Sequence, residues 1–195
     1  MDLVDEAAPE PSLRRDALLN QQRILAAAAA VVHRDGPHVP MAVVAAAAGV
    51  GIGTLYRRYP NREALLDALT RRSFRLVLDN ARAAAAWPGT GLDALAHFFG
   101  LTIASRGELI LPLHGGPDPV TDATRSVRDE VHRTLQEIVD RGRRDGTVRA
   151  DATTRDVVYF GALLAQPLAT AEGWDDIAHR LKQIYVDGLA AARSG

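Results

Sequence analysis

The chain has 195 residues, 47% of them hydrophobic and 24% charged, with six histidines and no cysteine. That is the composition of a globular protein, and it excludes disulfides, thiolate metal sites and cysteine nucleophiles. The net charge of −1 hides an asymmetry, because residues 12–75 carry ten arginines against four acids, while 1–11 carry four acids alone and 76–195 carry thirteen bases against sixteen acids.

The opening MDLVDEAAPEP is acidic and proline-bearing, without the basic and apolar regions of a signal peptide, and residues 1–13 are expected to form a flexible arm. A helix is predicted over 14–35, where Leu18, Ile24, Ala28, Val31 and Val32 recur at helical spacing before Gly36-Pro37 stops it. Met41–Ala48 is an alanine-rich short helix, and Gly49 follows where a left-handed C-terminal residue is favoured. Helix restarts over Thr54–Tyr59 and halts at Pro60. Asn61 then caps a long helix, Arg62–Ala86, about 37 Å at 1.5 Å per residue, long enough to connect two modules.

Leu92–Ser105 is apolar, Glu108–Leu113 is a short apolar piece, and His114–Pro119 is a loop. Asp122–Asp145 is amphipathic, with Val127, Val131, Leu135, Ile138 and Gly142 along one stripe. Thr153-x-x-Asp156 has the form of a capping box and opens a helix to Ala171, with a kink expected at Pro167. Trp174–Arg193 is the last helix, and Thr147-Val148-Arg149 is the one brief alternating run. The expected fold is all-α with about nine helices: a helix-turn-helix unit over 14–60 and a larger helical bundle over 61–195. No run of about 18 apolar residues exists, so no membrane span is expected and the cytoplasm is the expected compartment.

The glycine-rich stretch from Gly49 to Tyr59 admits two functional readings. As a dinucleotide fingerprint it fails, because Thr54 stands where the third glycine belongs, four alanines are poor strand formers, and no further strands follow. As a helix-turn-helix it presents the start of its second helix to the major groove of double-stranded DNA. Gly51, Ile52, Gly53 and Thr54 would stand at that entry, with Tyr56 and Arg57 on the next turn. Gly53 lets the backbone approach closely, and Thr54 offers a hydroxyl and a methyl to a base edge. Tyr59, Asn61 and Arg62 would meet phosphates, while Val44, Ala47, Val50 and Leu55 face inward. The plainer alternative is a tight connection between bundle helices, which needs neither three glycines nor two arginines.

The run Ala47-Ala48-Gly49-Val50-Gly51-Ile52-Gly53-Thr54-Leu55-Tyr56-Arg57-Arg58-Tyr59, followed by Asn61-Arg62-Glu63-Ala64-Leu65, resembles the DNA-binding signature of the TetR family of bacterial transcriptional regulators. The resemblance covers about residues 14–70. It implies a homodimer with an N-terminal reading head and a C-terminal helical region for dimerisation and ligand sensing, in which a small-molecule inducer releases a repressor from its operator. This chain departs from the family pattern with Gly51 in place of a hydroxyl cap, Arg62 in place of lysine, and Pro40 in place of a hydroxyl residue ahead of the second helix.

Position alone suggests a sensing pocket among Phe74, Leu78, Phe98, Thr102, Leu109, Leu113, Val131, Leu135 and Phe160. His97, Thr102, Arg106, His132 and Gln166 are its candidate polar anchors, and the few charges point to an apolar or weakly polar inducer. Val157, Val158, Tyr159, Phe160, Leu163 and Leu164 cover most of the circumference of their helix, which implies burial on several sides. A second copy packed through Val157, Phe160, Leu164, Trp174, Ile177, Leu181 and Ile184 would bury that surface as a four-helix bundle; a central helix within one protomer is the alternative. The histidines lack metal-ligand spacing, no cofactor is implied, and no nucleophile or paired-carboxylate motif points to an enzyme. The rival reading is a helical DNA-binding protein controlled by a protein partner or by no ligand, which a C-terminal core without a cavity would favour.

Overall fold

A computed structural model describes residues 11–112, 118, 121–166 and 173–192. They form eight α-helices and one 3-10 turn: α1 (Pro11–Asp35), α2 (Met41–Ala48), α3 (Ile52–Arg58), α4 (Arg62–Ala85), α5 (Gly91–Ser105), the turn Arg106–Glu108, α6 (Asp122–Arg144), α7 (Thr154–Leu164) and α8 (Trp174–Leu189). No β-strand occurs among the described residues, and none of their helices is long and apolar enough to cross a membrane. The eight helices among the described residues agree with the expected all-α fold of about nine.

Several boundaries differ from the sequence reading. The ends of α3, α4 and α6 and the start of α5 move by one residue, α8 ends at Leu189 rather than Arg193, and three other differences are instructive. Helix α1 starts at Pro11, inside the expected arm, whose residues 1–10 lie outside the described set. Helix α3 starts at Ile52 rather than Thr54, because the Gly51 carbonyl accepts hydrogen bonds from Thr54 N–H (2.9 Å) and Leu55 N–H (3.1 Å). Helix α7 ends at Leu164, where Gln166 N–H closes a turn on the Leu163 carbonyl (3.2 Å). The residue ahead of a proline avoids helical geometry, so Gln166-Pro167 stops the helix early; the expected kink itself lies outside the described residues.

Two apolar cores share α4. The first gathers Ile24, Ala28 and Val31 of α1, Val44 and Ala45 of α2, Leu55 of α3, and Leu65 and Leu69 from the first half of α4. The second gathers Val77, Leu78 and Ala81 from the second half of α4 with Leu95, Phe98 and Phe99 of α5, Leu135 and Ile138 of α6, Val157 of α7 and Val186 of α8. Residues 109–111 stitch the two together: Ile110 is buried in the first core, whereas Leu109 and Leu111 are buried in the second.

Capping fixes where the helices begin. Asn61 Oδ1 accepts Ala64 N–H (2.8 Å), and capping boxes of Thr90 with Asp93 and Thr153 with Asp156 open α5 and α7. The start of α5 crosses the end of α6 so closely that a Cβ on Gly91 would collide with the Gly142 backbone. Asp145 ties the same crossing by accepting Gly91 N–H (2.7 Å). The short run at Thr147–Arg149 pairs with the end of α8 through one antiparallel bridge, Val148 to Ala190.

Candidate functional site

The alanine run of α2 ends on Gly49, whose φ of 65° is the left-handed turn that a side chain disfavours. Val50 N–H returns to the Ala45 carbonyl (3.0 Å), and Gly51 then caps α3 in an extended conformation. Leu55 is buried between α1, α2 and α4 and pins α3 by one side. The other side of α3 faces outward: Ile52 is 43% and Tyr56 47% exposed, with Gly51, Gly53, Arg57 and Arg58 exposed around them.

Space, rather than backbone need, distinguishes Gly53. A Cβ there would meet nothing within 4 Å, so the fold itself does not require glycine, and the bare surface is open to whatever approaches α3. Arg57 donates to Thr54 Oγ1 (3.1 Å), which groups the two side chains on one exposed edge. Arg58 instead turns back to Gln21 of α1. Arg62 is half-buried at the first turn of α4. Tyr59 departs from expectation: it is only 5% exposed, packed in the first core, and burial raises its phenol pKa. Tyr59 therefore serves as a wedge beneath α3 and not as a surface phosphate contact. Ala47 is likewise exposed, and Ala45 and Ala48 take the inward positions of α2.

The second core contains a cavity of about 420 Å³. Phe74 of α4, Phe98 and Thr102 of α5, and Val131 and Leu135 of α6, all singled out by sequence, line it. His132, one of the expected anchors, also lines it, and burial followed by the nearby Arg128 charge lowers its pKa. Leu78 and Leu109 are buried without reaching the cavity, because neighbouring core side chains surround them. Phe160 turns the other way, stacked on Tyr185 with ring centroids 3.7 Å apart and edge-on to Phe99 at 5.3 Å. Leu113 lies outside the described residues. The wall that sequence missed comes from Leu111 and Pro112, from Arg128, and from Val158, Tyr159 and Ala162 of α7. The i, i+4 spacings Arg128–His132 and Val158–Ala162 were available as a signal.

Residues 24–69 match the family described as bacterial regulatory proteins, tetR family, and residues 93–191 match the transcriptional regulator SbtR-like, C-terminal domain. A TetR transcription regulatory protein from Mycobacterium vanbaalenii superposes with a TM-score of 0.63 at 32% identity, over 92% of this chain and 99% of that one. The chain belongs to the TetR family. A TetR transcriptional regulator from Streptomyces coelicolor matches at 29% identity and a TM-score of 0.59, over 88% of this chain and 99% of that one. An HTH-type transcriptional repressor from Mycolicibacterium smegmatis, LfrR, is 34% identical over 113 residues, which are 57% of this chain and 59% of the repressor.

Within this TetR-family chain, the outer face of α7 and α8 is the second large exposed surface. Leu163 is 59% and Ile184 58% exposed, with Tyr159, Ile177 and Leu181 also exposed beside them. Of the residues expected to bind a second copy, Ile177, Leu181 and Ile184 lie on this surface. Val157 and Leu164 do not, since both are buried in the protomer's own core, and Phe160 and Trp174 pack partly against it. The exposed apolar side chains of α7 are instead Tyr159 and Leu163, one helical turn apart. Among the described residues no group of three or more histidine, aspartate and glutamate side chains is placed to hold a metal ion.

Proposed function

We propose that this TetR-family chain is an operator-binding transcriptional repressor that works as a homodimer and is released by a small molecule held in the α4–α7 cavity. The observation that carries the reading is the outward side of α3, where Ile52, Tyr56 and Arg57 surround a bare Gly53 that the fold does not need. A helix in the major groove reads base edges with its N-terminal residues. Gly51, Gly53 and Ile52 allow close approach, Thr54 and Arg57 supply hydrogen bonds, and Tyr56 supplies an amphipathic contact. Arg62 and the first turn of α4 suit phosphate, where free N–H groups and the helix dipole favour an anion. Residues 14–60 act as the reading unit and 61–195 as the sensing and dimerising unit. Repression as the sign of control follows the M. smegmatis relative's name.

Two connections support control of α3 from the cavity. Leu111 and Pro112 line the cavity, and the adjacent Ile110 is buried in the first core, which also holds Leu55 of α3, its N–H donated to Ser73 Oγ of α4 (2.8 Å). Thr121, the N-cap of cavity-lining α6, donates to both oxygens of buried Asp67 in α4 (3.2 and 3.1 Å). A ligand that shifts the wall at 111–112 or the start of α6 therefore moves α4 and the packing under α3. Two copies joined through α7 and α8 present two α3 helices, and their spacing on DNA depends on those shifts.

Fluorescence anisotropy with a duplex selected by the protein tests the reading. Binding falls by at least about 100-fold between 50 and 200 mM salt, since several phosphate contacts release counterions, and salt-insensitive binding contradicts it. Ile110→Ala keeps DNA binding within a few-fold but uncouples it from ligand, and retained release in that variant refutes the proposed connection.

A further inference from the structure

Resting on the cavity reading above, we propose that its ligand is an uncharged, mainly apolar molecule with one hydrogen-bonding oxygen, and that Thr102 is the residue that selects for that oxygen. Thr102 lines the cavity from α5, is only 2% exposed, and its Oγ1 is fully buried with no hydrogen-bond partner. Helical threonines commonly donate to the carbonyl one turn back, as Ser73 does to Leu69 (2.9 Å) and Ser105 to Leu101 (3.0 Å) in this chain. Thr102 has no such bond. A buried hydroxyl left unsatisfied is costly, and a ligand oxygen that meets it recovers that cost. A hydroxyl both donates and accepts, so a ligand alcohol, phenol or carbonyl satisfies it equally.

The rest of the wall argues against a charged ligand. Phe74, Val77, Phe98, Leu135 and Val158 make it largely apolar. Arg128 is the one cation of fixed charge among the lining residues, and its Nε and Nη2 are already donated to Asp129 (3.1 and 2.9 Å). Asp118 also lines the cavity, and its negative charge offsets that of Arg128, so the lining carries no net fixed charge to hold an ion of either sign. His132, whose pKa is lowered by burial and by Arg128, is neutral at neutral pH and adds no positive charge. At about 420 Å³ the cavity is in the range that takes a drug-sized molecule.

Phenanthrene, 9-phenanthrol and phenanthrene-9-carboxylate share one shape and differ only in the group presented to Thr102. Titrated into the full chain at neutral pH and followed by fluorescence, the phenol binds about tenfold more tightly than the hydrocarbon, and the carboxylate binds most weakly. Thr102→Val removes the preference by weakening the phenol alone, and Thr102→Ser keeps it; a melting curve for each variant shows that the fold is retained, and Thr102→Ala substitutes for a valine variant that does not fold. An unchanged preference in Thr102→Val overturns the role of Thr102 while leaving the cavity a binding site. Tightest binding of the carboxylate overturns the uncharged class. Binding of none of the three overturns the cavity reading itself, and with it this inference.

Discussion

Two surfaces of this protein expose large apolar side chains, and their surroundings differ. On α3, Ile52 and Tyr56 stand beside Arg57, Arg58 and two bare glycines, within a segment of net charge +6 over residues 12–75. On α7 and α8, Tyr159, Leu163, Ile177, Leu181 and Ile184 form a broader apolar surface. Under the function proposed above, comparable exposure would serve two different partners: a polyanion that needs charge and close backbone approach, and a second copy of the chain that needs buried apolar area. The helix caps differ in the same way. Helices α2, α3 and α4 start on Pro40, Gly51 and Asn61, all uncharged, whereas α5 and α7 start on threonine–aspartate boxes.

The contrast breaks most visibly if the apolar surface is charged. The double change Leu163→Arg and Ile184→Arg should yield a monomer by sedimentation and lower affinity for a two-half-site operator by at least about 100-fold, because two linked reading heads gain that much over one. A variant that stays dimeric would show that this surface is not the interface. On α3 the effect should be smaller and confined to DNA. Arg57→Ala is expected to cost about 1–3 kcal/mol if its guanidinium reads a base, with loss concentrated at one operator position and sedimentation unchanged. An even loss across all sequences would assign Arg57 to phosphate.

Gly53→Ala separates fold from function at one atom. Its Cβ meets nothing in the protein, so the fold should gain about 0.5–1 kcal/mol from helix propensity while DNA affinity drops several-fold. Equal affinity would remove the close-approach argument. The smallest effect concerns acid. Hydrogen bonds from Thr90 and Thr153 hold Asp93 and Asp156 below the ordinary carboxylate pKa, so their stabilisation is full above the unfolded value and is lost as pH falls through the folded one. Both tryptophans, Trp87 and Trp174, lie outside the head, so their fluorescence should report an acid transition that the double variant Asp93→Asn, Asp156→Asn shifts to a different pH. An unshifted transition would deny the boxes that role.

Much of the head was legible in the sequence because its logic is local. Gly49 ends one helix, Asn61 starts another, and Leu55 and Val44 alternate inward with the helical period. Tyr59 misled because an aromatic next to two arginines reads as a surface group, whereas α1, α2 and α4 close over it. The apolar surface was half legible for a related reason. A helix apolar on every side, like α7, does not declare which side meets its own core, so the sequence points to Val157 and Leu164, which the protomer buries, rather than to the exposed Tyr159 and Leu163. The cavity is built from distant segments: Leu111 and Val158 both line it, and no periodicity joins them. The Gly91–Gly142 crossing is equally silent in sequence, yet alanine at Gly91 should cost about 1–3 kcal/mol of thermal stability by forcing the helices apart, and alanine at Gly142 a similar amount by colliding with Val148.

The central claim is that α3 reads DNA as one of a symmetric pair. Selection of bound duplexes from a random pool by the full chain, followed by footprinting of the winners, tests it most directly. The expected result is an inverted repeat protected at two half-sites about one or two helical turns apart, with protection lost on Arg57→Ala. A pool that converges on no sequence, or a footprint over a single unpaired half-site, would contradict it.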